Sequence, residues 1–387
     1  MNIKLKPKVS KGLYYNQLYK NDKSSYIVLG NKINGVNLII EDKNIISINL
    51  LIKEFNGNNT LEDISSKIGI EIHELISIVN LLKNKGIISL GQMGEETLTK
   101  NFNEAERFSL KIFEKSLSKI KLNPVILAKF LKGFKFIFLI NAVIFFYLFA
   151  KYHNQYSIFD LIKYKESYLE SYILINICMV FSFIFHEIAH LLVAQRYGAE
   201  SKKFVFILYW YFIPMMYLEN KNLYSLKRKD LLKVLLAGVT FNIFISLISL
   251  NIFYITNLYI FIVIALANLK MFFVNLIPLS LSDGYFVFTV LFGEPNLRKS
   301  SYRLIGNTWK RAVLKGYKKS EIIYSIVTFA STMILFTFEI TWLISSLQII
   351  KGLYLIVLII FISLLYCIFY ICLIRKRFVS KTIVDGR

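Results

Sequence analysis

The chain has 387 residues, 55% of them hydrophobic and 16% aromatic, with 47 Lys and Arg against 25 Asp and Glu and a formal net charge of +22. So apolar an average excludes an ordinary soluble globular protein and indicates an integral membrane protein. The basic excess does not indicate nucleic acid, because the lysines and arginines cluster beside the apolar runs and the aromatics lie inside those runs.

Charge is spread through residues 1 to about 132, whereas the remainder alternates long apolar runs with short basic loops. This predicts a soluble N-terminal domain followed by a membrane domain. The opening segment, MNIKLKPKVSKGLYY, carries basic residues with no apolar core after them. No cleavable signal peptide is expected, and the N-terminus is expected in the cytosol. Cys178, Cys367 and Cys372 all fall in apolar runs, an odd count without framework spacing, which argues against a disulfide scaffold or a cysteine-rich zinc site.

Residues 25 to 90 read as a small α/β module. SYIVLG and GVNLII have strand content, and KNIISINLLIKEF repeats apolar residues at helical spacing. NGNNTLEDISSKIG predicts a turn and a short helix with Thr60 as N-cap, and IEIHELISIVNLLKNKGIISL predicts a helix, a stop at Gly86 and a closing strand. His73 falls on that helix as a solvated residue. Helix, helix and terminal strand form the winged-helix pattern. The stretch from Ile45 to Leu90, with FNGNNTLEDISSKIG and LLKNKGIISL, resembles the PqqD-like family, whose small winged-helix modules recognise leader segments of ribosomally made peptides. That resemblance implies a peptide-recognition domain over 1–95; a generic winged helix used for packing or dimerisation is the alternative.

Residues 96–133 read as a basic, helical-looking linker. RFSLKIFEKSLSKIKL and VILAKFLKGFKF are amphipathic and expected on the membrane surface, with Pro124 separating them. A membrane domain over 134–380 follows. Six runs are long enough for about 30 Å of hydrocarbon, near 134–152, 170–196, 231–256, 258–280, 321–346 and 352–374. The expected fold class is therefore mainly α: a polytopic membrane protein of about six transmembrane helices with a small cytosolic α/β winged-helix domain. Basic residues concentrate in the even-numbered loops and in the RKR at 375–377, which predicts a multi-pass cell-membrane protein with both termini cytoplasmic. Counting 204–218 as a further span would put the basic 280–320 loop outside, so that stretch is expected to be re-entrant or part of a sheet.

FHEIAHLL, at 185–192, places charge and imidazole inside the second run. His186 and His190 stand four residues apart on one helical face, so both imidazoles can reach one Zn2+ ion, and Glu187 is positioned to take a proton from water. A charged side chain in mid-span is costly and usually marks function. Catalytic zinc takes three protein ligands and one open position. With His73 in the soluble domain and His153 on the outer side, the third ligand is expected to be a carboxylate. NLIPLSLSDG offers Asp283 at the cytosolic end of the fourth span, at a depth similar to that of His190. Taken alone, Asp283-Gly284 also reads as a turn after a helix stop at Pro278.

This constellation resembles the site-2 protease family, zinc metalloproteases with an active site inside the membrane. That family pairs HExxH with a later Asn-x-x-Pro-x-x-x-x-Asp-Gly, matched here by Asn275, Pro278, Asp283 and Gly284, over roughly 170 to 295. AGVTFN is similar to the family's Ala-Gly-Pro-x-x-Asn element, with Asn242 in the matching place and Val239 where proline usually stands. The resemblance implies zinc on His186, His190 and Asp283, Glu187 as general base, and Asn242 helping at the developing oxyanion. Asn242 and Asn275 also read as interhelical hydrogen-bond partners.

With the PqqD-like N-terminus, the whole is similar to the peptide zinc metalloproteases of peptide-modification and bacteriocin-type systems. The expected function is cleavage of a peptide or membrane-associated peptide, its leader held by the N-terminal domain, in maturation or export. The alternatives are a regulatory site-2 protease releasing a membrane-tethered factor, and a non-catalytic export or immunity membrane protein.

Overall fold

The computed structural model describes residues 4–20, 25–33, 36–41, 45–90, 109–117, 120, 122–155, 167–209, 213–276, 282–295, 297–298, 301, 304, 318–347, 360–368 and 371. The chain divides into two compact units, one of Met1–Leu127, His190–Val234 and Val290–Pro295, the other of Ala128–Ala189, Leu235–Thr289 and Asn296–Arg387.

In the first unit, β1 (Pro7–Val9) pairs antiparallel with β5 (Ile88–Leu90), and β2 (Leu13–Lys20), β3 (Ser25–Asn31) and β4 (Val36–Glu41) form an antiparallel meander in that order. Three helices follow β4: α1 (Ile45–Glu54), α2 (Leu61–Ile68) and α3 (Ile72–Asn84). Leu51, Phe55, Leu61, Ile64, Leu75, Val79, Leu82 and Ile87 meet in one core, their three- and four-residue spacings bringing one face of each helix together. Thr60 caps α2 as expected. Its hydroxyl accepts from the Asp63 amide at 3.2 Å while the Asp63 carboxylate accepts from the Thr60 amide at 2.9 Å, a reciprocal capping box. The elements expected from 25 to 90 all form. Two strands not foreseen, β1 and β2, precede them from Pro7 on, inside the 1–95 expected of the domain. His73 is solvated, with its imidazole 3.1 Å from the Glu71 carboxylate.

The linker expectation is corrected. Ser109–Ser116 is a strand, β6, not a helix, and it pairs antiparallel with β7 (Ser201–Tyr209), which pairs in turn with β8 (Ile213–Asn220). β7 and β8 are the sheet element anticipated for 204–218. Val205 and Ile207 alternate inward from β7 and are fully buried. Lys203 bridges the three strands, 3.1 Å from Glu114 on β6 and 3.2 Å from Glu219 on β8. Pro124 does separate the two pieces, as expected, but the second is not a separate surface helix: it is the start of one long helix, α4 (Pro124–Tyr152), that continues into the first apolar run. Proline is favoured at a first helical position, where its missing N–H has no partner to lose. At 29 residues α4 is about 44 Å long. It therefore exceeds the hydrocarbon, and its first turns bear Lys129, Lys132 and Lys135.

The protein is mainly helical, and five described helices are long and apolar enough to cross a membrane. They are α4, α5 (Tyr168–Arg196), α7 (Ala237–Thr256), α8 (Tyr259–Leu276) and α10 (Lys319–Leu347). Two shorter helices interrupt the series. α6 (Arg228–Leu235) is separated from α7 by a break at Leu236, so the run expected at 231–256 is two helices. α9 (Asp283–Phe292) starts on Asp283, after α8 has ended at Leu276. Pro278 lies outside the described residues, as does most of the run expected at 352–374, of which 360–368 are helical.

The second unit contains a polar cluster shared by three spans. Lys270 on α8 is 2.6 Å from the Glu339 carboxylate on α10, Tyr172 on α5 donates to that carboxylate at 3.2 Å, and Lys270 donates to Asn176 Oδ1 at 3.2 Å. This accounts for Glu339 deep in the fifth span: its charge is met by a cation on a neighbouring helix.

Candidate metal centre

α5 exposes Phe181, Ile184, Phe185 and Ile188 on one side and buries Ser182, His186, His190 and Ala194 on the other. These last four recur every fourth residue and form a single stripe, so helical periodicity alone puts both imidazoles on the buried face. His186 is 2% and His190 7% exposed. The intervening Glu187, about 100° around the helix from His186, is half-buried. Ligand atoms of His186, Glu187 and His190 all lie within 4.8 Å of one another, and this group could hold a metal ion.

Asp283 is brought to the same place from 97 residues away. Its Oδ2 stands 3.0 Å from His186 Nε2, with the carboxylate at the N-terminus of α9, where a helix dipole favours negative charge. Gly284 permits that approach: a Cβ there would lie 2.1 Å from the Leu276 carbonyl oxygen. Asn275, by contrast, bonds within its own helix, its Nδ2 donating to the Met271 carbonyl at 3.1 Å.

Each histidine is also held at its other ring nitrogen. His190 Nδ1 is 2.7 Å from the Val234 carbonyl oxygen, an acceptor only, so Nδ1 carries the proton and Nε2 keeps a lone pair. A backbone carbonyl behind an imidazole is the usual way of orienting a metal-ligating histidine. His186 Nδ1 is 3.0 Å from the side-chain amide of Asn242, a residue with no exposure whose buried Oδ1 has no hydrogen-bond partner among the described residues. As placed, the Asn242 amide nitrogen donates to Nδ1 and His186 Nε2 donates to Asp283. A half-turn of the amide exchanges its oxygen and nitrogen. Oδ1 then accepts from a protonated Nδ1 and Nε2 is left as a donor of electrons to a metal. The orphaned oxygen thus has a use in a loaded site. The resemblance implied that Asn242 helps at an oxyanion; in the structure its amide lies against the far nitrogen of His186.

Two contributors went unassigned in the sequence. Gly238, four residues before Asn242 on α7, lies directly under the His186 ring: a Cβ there would stand 2.4 Å from Cε1, 2.5 Å from Nε2 and 2.6 Å from Nδ1. The Gly-x-x-x-Asn spacing of AGVTFN puts both on one helical face, and that was the available signal. Val234 contributes only its backbone, for which no sequence signal exists. Among the described residues, His186, Glu187 and His190 thus form one group on α5, and Asp283, at the start of α9, meets His186. No protein-family model, curated protein or solved structure matches the chain.

Proposed function

We propose that the protein is a zinc-dependent membrane metalloendopeptidase that cuts a peptide or membrane-associated peptide, in maturation or export of a ribosomally made, bacteriocin-like peptide. One observation carries this reading: a buried HExxH pair whose first histidine meets, at 3.0 Å, a carboxylate from a distant helix. Two atoms bound tetrahedrally to zinc at about 2.0–2.1 Å stand about 3.3 Å apart, so Nε2 of His186 and Oδ2 of Asp283 already have the separation of two ligands. His186, His190 and Asp283 are the ligands in this assignment. Glu187 is the base, because it turns off the face shared by the histidines and is the most exposed of the helical three.

Bound there, zinc supplies Lewis acidity, polarising a carbonyl and making water acidic enough to lose a proton near neutral pH. The Glu187 carboxylate accepts that proton and passes it to the leaving amine. Val234 and Asn242 keep the two imidazoles oriented. A helical substrate hides its carbonyls in its own hydrogen bonds, so the target peptide must be extended; β8, an outer strand of its sheet, offers main-chain groups for such pairing. The N-terminal domain, with helices α1–α3 and strand β5 in the expected order, is assigned capture of the leader, and both termini are assigned to the cytosol.

The test is zinc per chain in detergent-purified protein, with cleavage of a candidate peptide encoded nearby. About one zinc in wild type, lost in His186→Ala and Asp283→Ala, is expected. A folded wild type that takes up no zinc after reconstitution would sink the proposal. Deleting residues 1–100 is expected to raise the substrate concentration for half-maximal cleavage; an unaltered dependence removes the recruitment role.

A further inference from the structure

We infer that the N-terminal domain positions the metal ligand His190, with Asn16 as the residue through which it does so; this rests on the metal-centre reading above. β2 pairs with β3 in regular register up to Asn16, and the register then shifts before Tyr19. Such an irregularity re-aims a side chain out of the sheet. Asn16 accordingly leaves its own domain: its Nδ2 donates to the carbonyl of Tyr224 at 2.8 Å and to that of Leu226. The first of those carbonyls lies within the 3-10 turn Leu223–Ser225 and the second at its C-cap, where Leu226 is buried. The turn is also tied to the end of α5, since Asn222 Nδ2 donates to the Gly198 carbonyl at 3.1 Å.

From this clamped turn the chain enters α6, whose first helical bonds run from the amides of Asp230 and Leu231 to the Lys227 carbonyl, both at 2.9 Å. Eight residues of helix span about 12 Å, short enough to move as a rod. Leu231 and Val234 are buried on its inner face. At its far end the Val234 carbonyl is one of the last of the helix, which lack a donor of their own helix. That carbonyl accepts the hydrogen bond donated by His190 Nδ1–H. An uninterrupted path of short hydrogen bonds and one rigid helix therefore runs from Asn16 to His190. A displacement of the turn is passed to the Val234 carbonyl and rotates the imidazole about its bond to the chain.

The consequence is that the N-terminal domain sets the geometry of the centre as well as serving it. Its loss or reorientation weakens the metal site even though it supplies no ligand.

The experiment uses full-length protein in detergent, reconstituted with Co2+ as the probe. It reads cobalt affinity by chelator competition and the ligand-field absorption of the bound ion. Asn16→Ala removes the donor, and Asn16→Asp removes it while setting a charge against two carbonyls. Thr60→Ala, which weakens the cap of α2 without touching the turn, controls for general loosening of the domain. Both Asn16 variants are expected to lose about tenfold in cobalt affinity, as when an outer partner of a metal ligand is removed, with an altered cobalt spectrum; Thr60→Ala keeps the wild-type spectrum and affinity. Having two Asn16 variants keeps the test open if one of them aggregates. Asn16 variants with wild-type affinity and spectrum, or a Thr60→Ala variant that matches them, overturn the inference alone. Wild-type protein that takes up no cobalt overturns both this inference and the metal centre.

Discussion

Gly238→Ala separates helix propensity from site geometry, because the two predict opposite signs. Replacing glycine by alanine in a helix interior ordinarily stabilises by about 0.5–1 kcal/mol. At Gly238 the new methyl would sit 2.4–2.6 Å from three atoms of the His186 ring. Ordinary contact needs about 3.5 Å, so the ring must retreat by roughly 1 Å. It has no free direction, being held at 3.0 Å by Asp283 on one nitrogen and at 3.0 Å by Asn242 on the other. Metal–ligand distances tolerate about 0.2 Å, so a shift of that size removes His186 from the ligand set. The expected result is a loss of zinc affinity of at least about 100-fold, beyond that of an outer-partner mutation, with about 1–3 kcal/mol of overpacking cost. Gly133→Ala is the control, since nothing lies within 4 Å of a Cβ there. Affinity is read by chelator competition and folding by size exclusion and thermal aggregation. A folded Gly238→Ala protein with wild-type zinc affinity would refute the placement of His186.

Three further outcomes follow from other parts of the molecule. Glu187→Gln is expected to keep its zinc while losing about 10²–10⁴-fold in cleavage rate, as for a general base; loss of zinc would make Glu187 a ligand instead. Glu339→Gln leaves Lys270 without its counter-charge and is expected to cost about 3 kcal/mol, read as thermal stability in detergent, whereas the double replacement of Lys270 and Glu339 by Met recovers most of it; single and double variants of equal stability would contradict this. Hydrogen bonds from Lys111 and Lys203 hold the Glu114 carboxyl down at about 2, from an ordinary 4.5. A depressed pKa adds stability above the unfolded value and loses it as pH falls through the folded one. Glu114→Gln should therefore cost under about 1 kcal/mol at pH 7, since the pair is part-exposed. The gap to wild type should close between pH 4.5 and pH 2; a gap independent of pH would remove the ion pair as its cause.

What was legible in the sequence was what is local. HEIAH declares its shared face by spacing alone, and Thr60 with Asp63 declares a helix start, because both depend on residues within one turn. Asp283 was reachable only by adding topology, matching the depth of two span ends. Strand β6 was not legible: Phe113, Leu117 and Ile120 repeat at helical spacing, and the strand's reason to exist is β7, almost a hundred residues later. Non-local pairing there overrides local pattern. Gly238 was visible but mute, since a glycine's meaning is the neighbour it admits. β1 and β2 were missed because no strong apolar alternation marks LYYNQLYK, whose burial comes from packing.

The break at Leu236 ties these observations together. In an unbroken helix the Val234 carbonyl would face the amide four residues on, which belongs to Gly238. Because α6 stops at Leu235, that carbonyl is among those without an intrahelical donor, and it is the one that His190 uses. Immediately past the break, α7 supplies the bare surface at Gly238 on which His186 lies and, one turn later, the Asn242 amide that holds its Nδ1. Nine residues, 234 to 242, thus orient both histidines by different means, a main-chain acceptor for one and a side-chain amide for the other. A single continuous span, as the hydropathy predicts, would lose the first of these. The interruption of an otherwise good membrane helix thus leaves His190 its main-chain acceptor, and the apolar run hides it because Leu and Ala are strong helix formers that announce no stop.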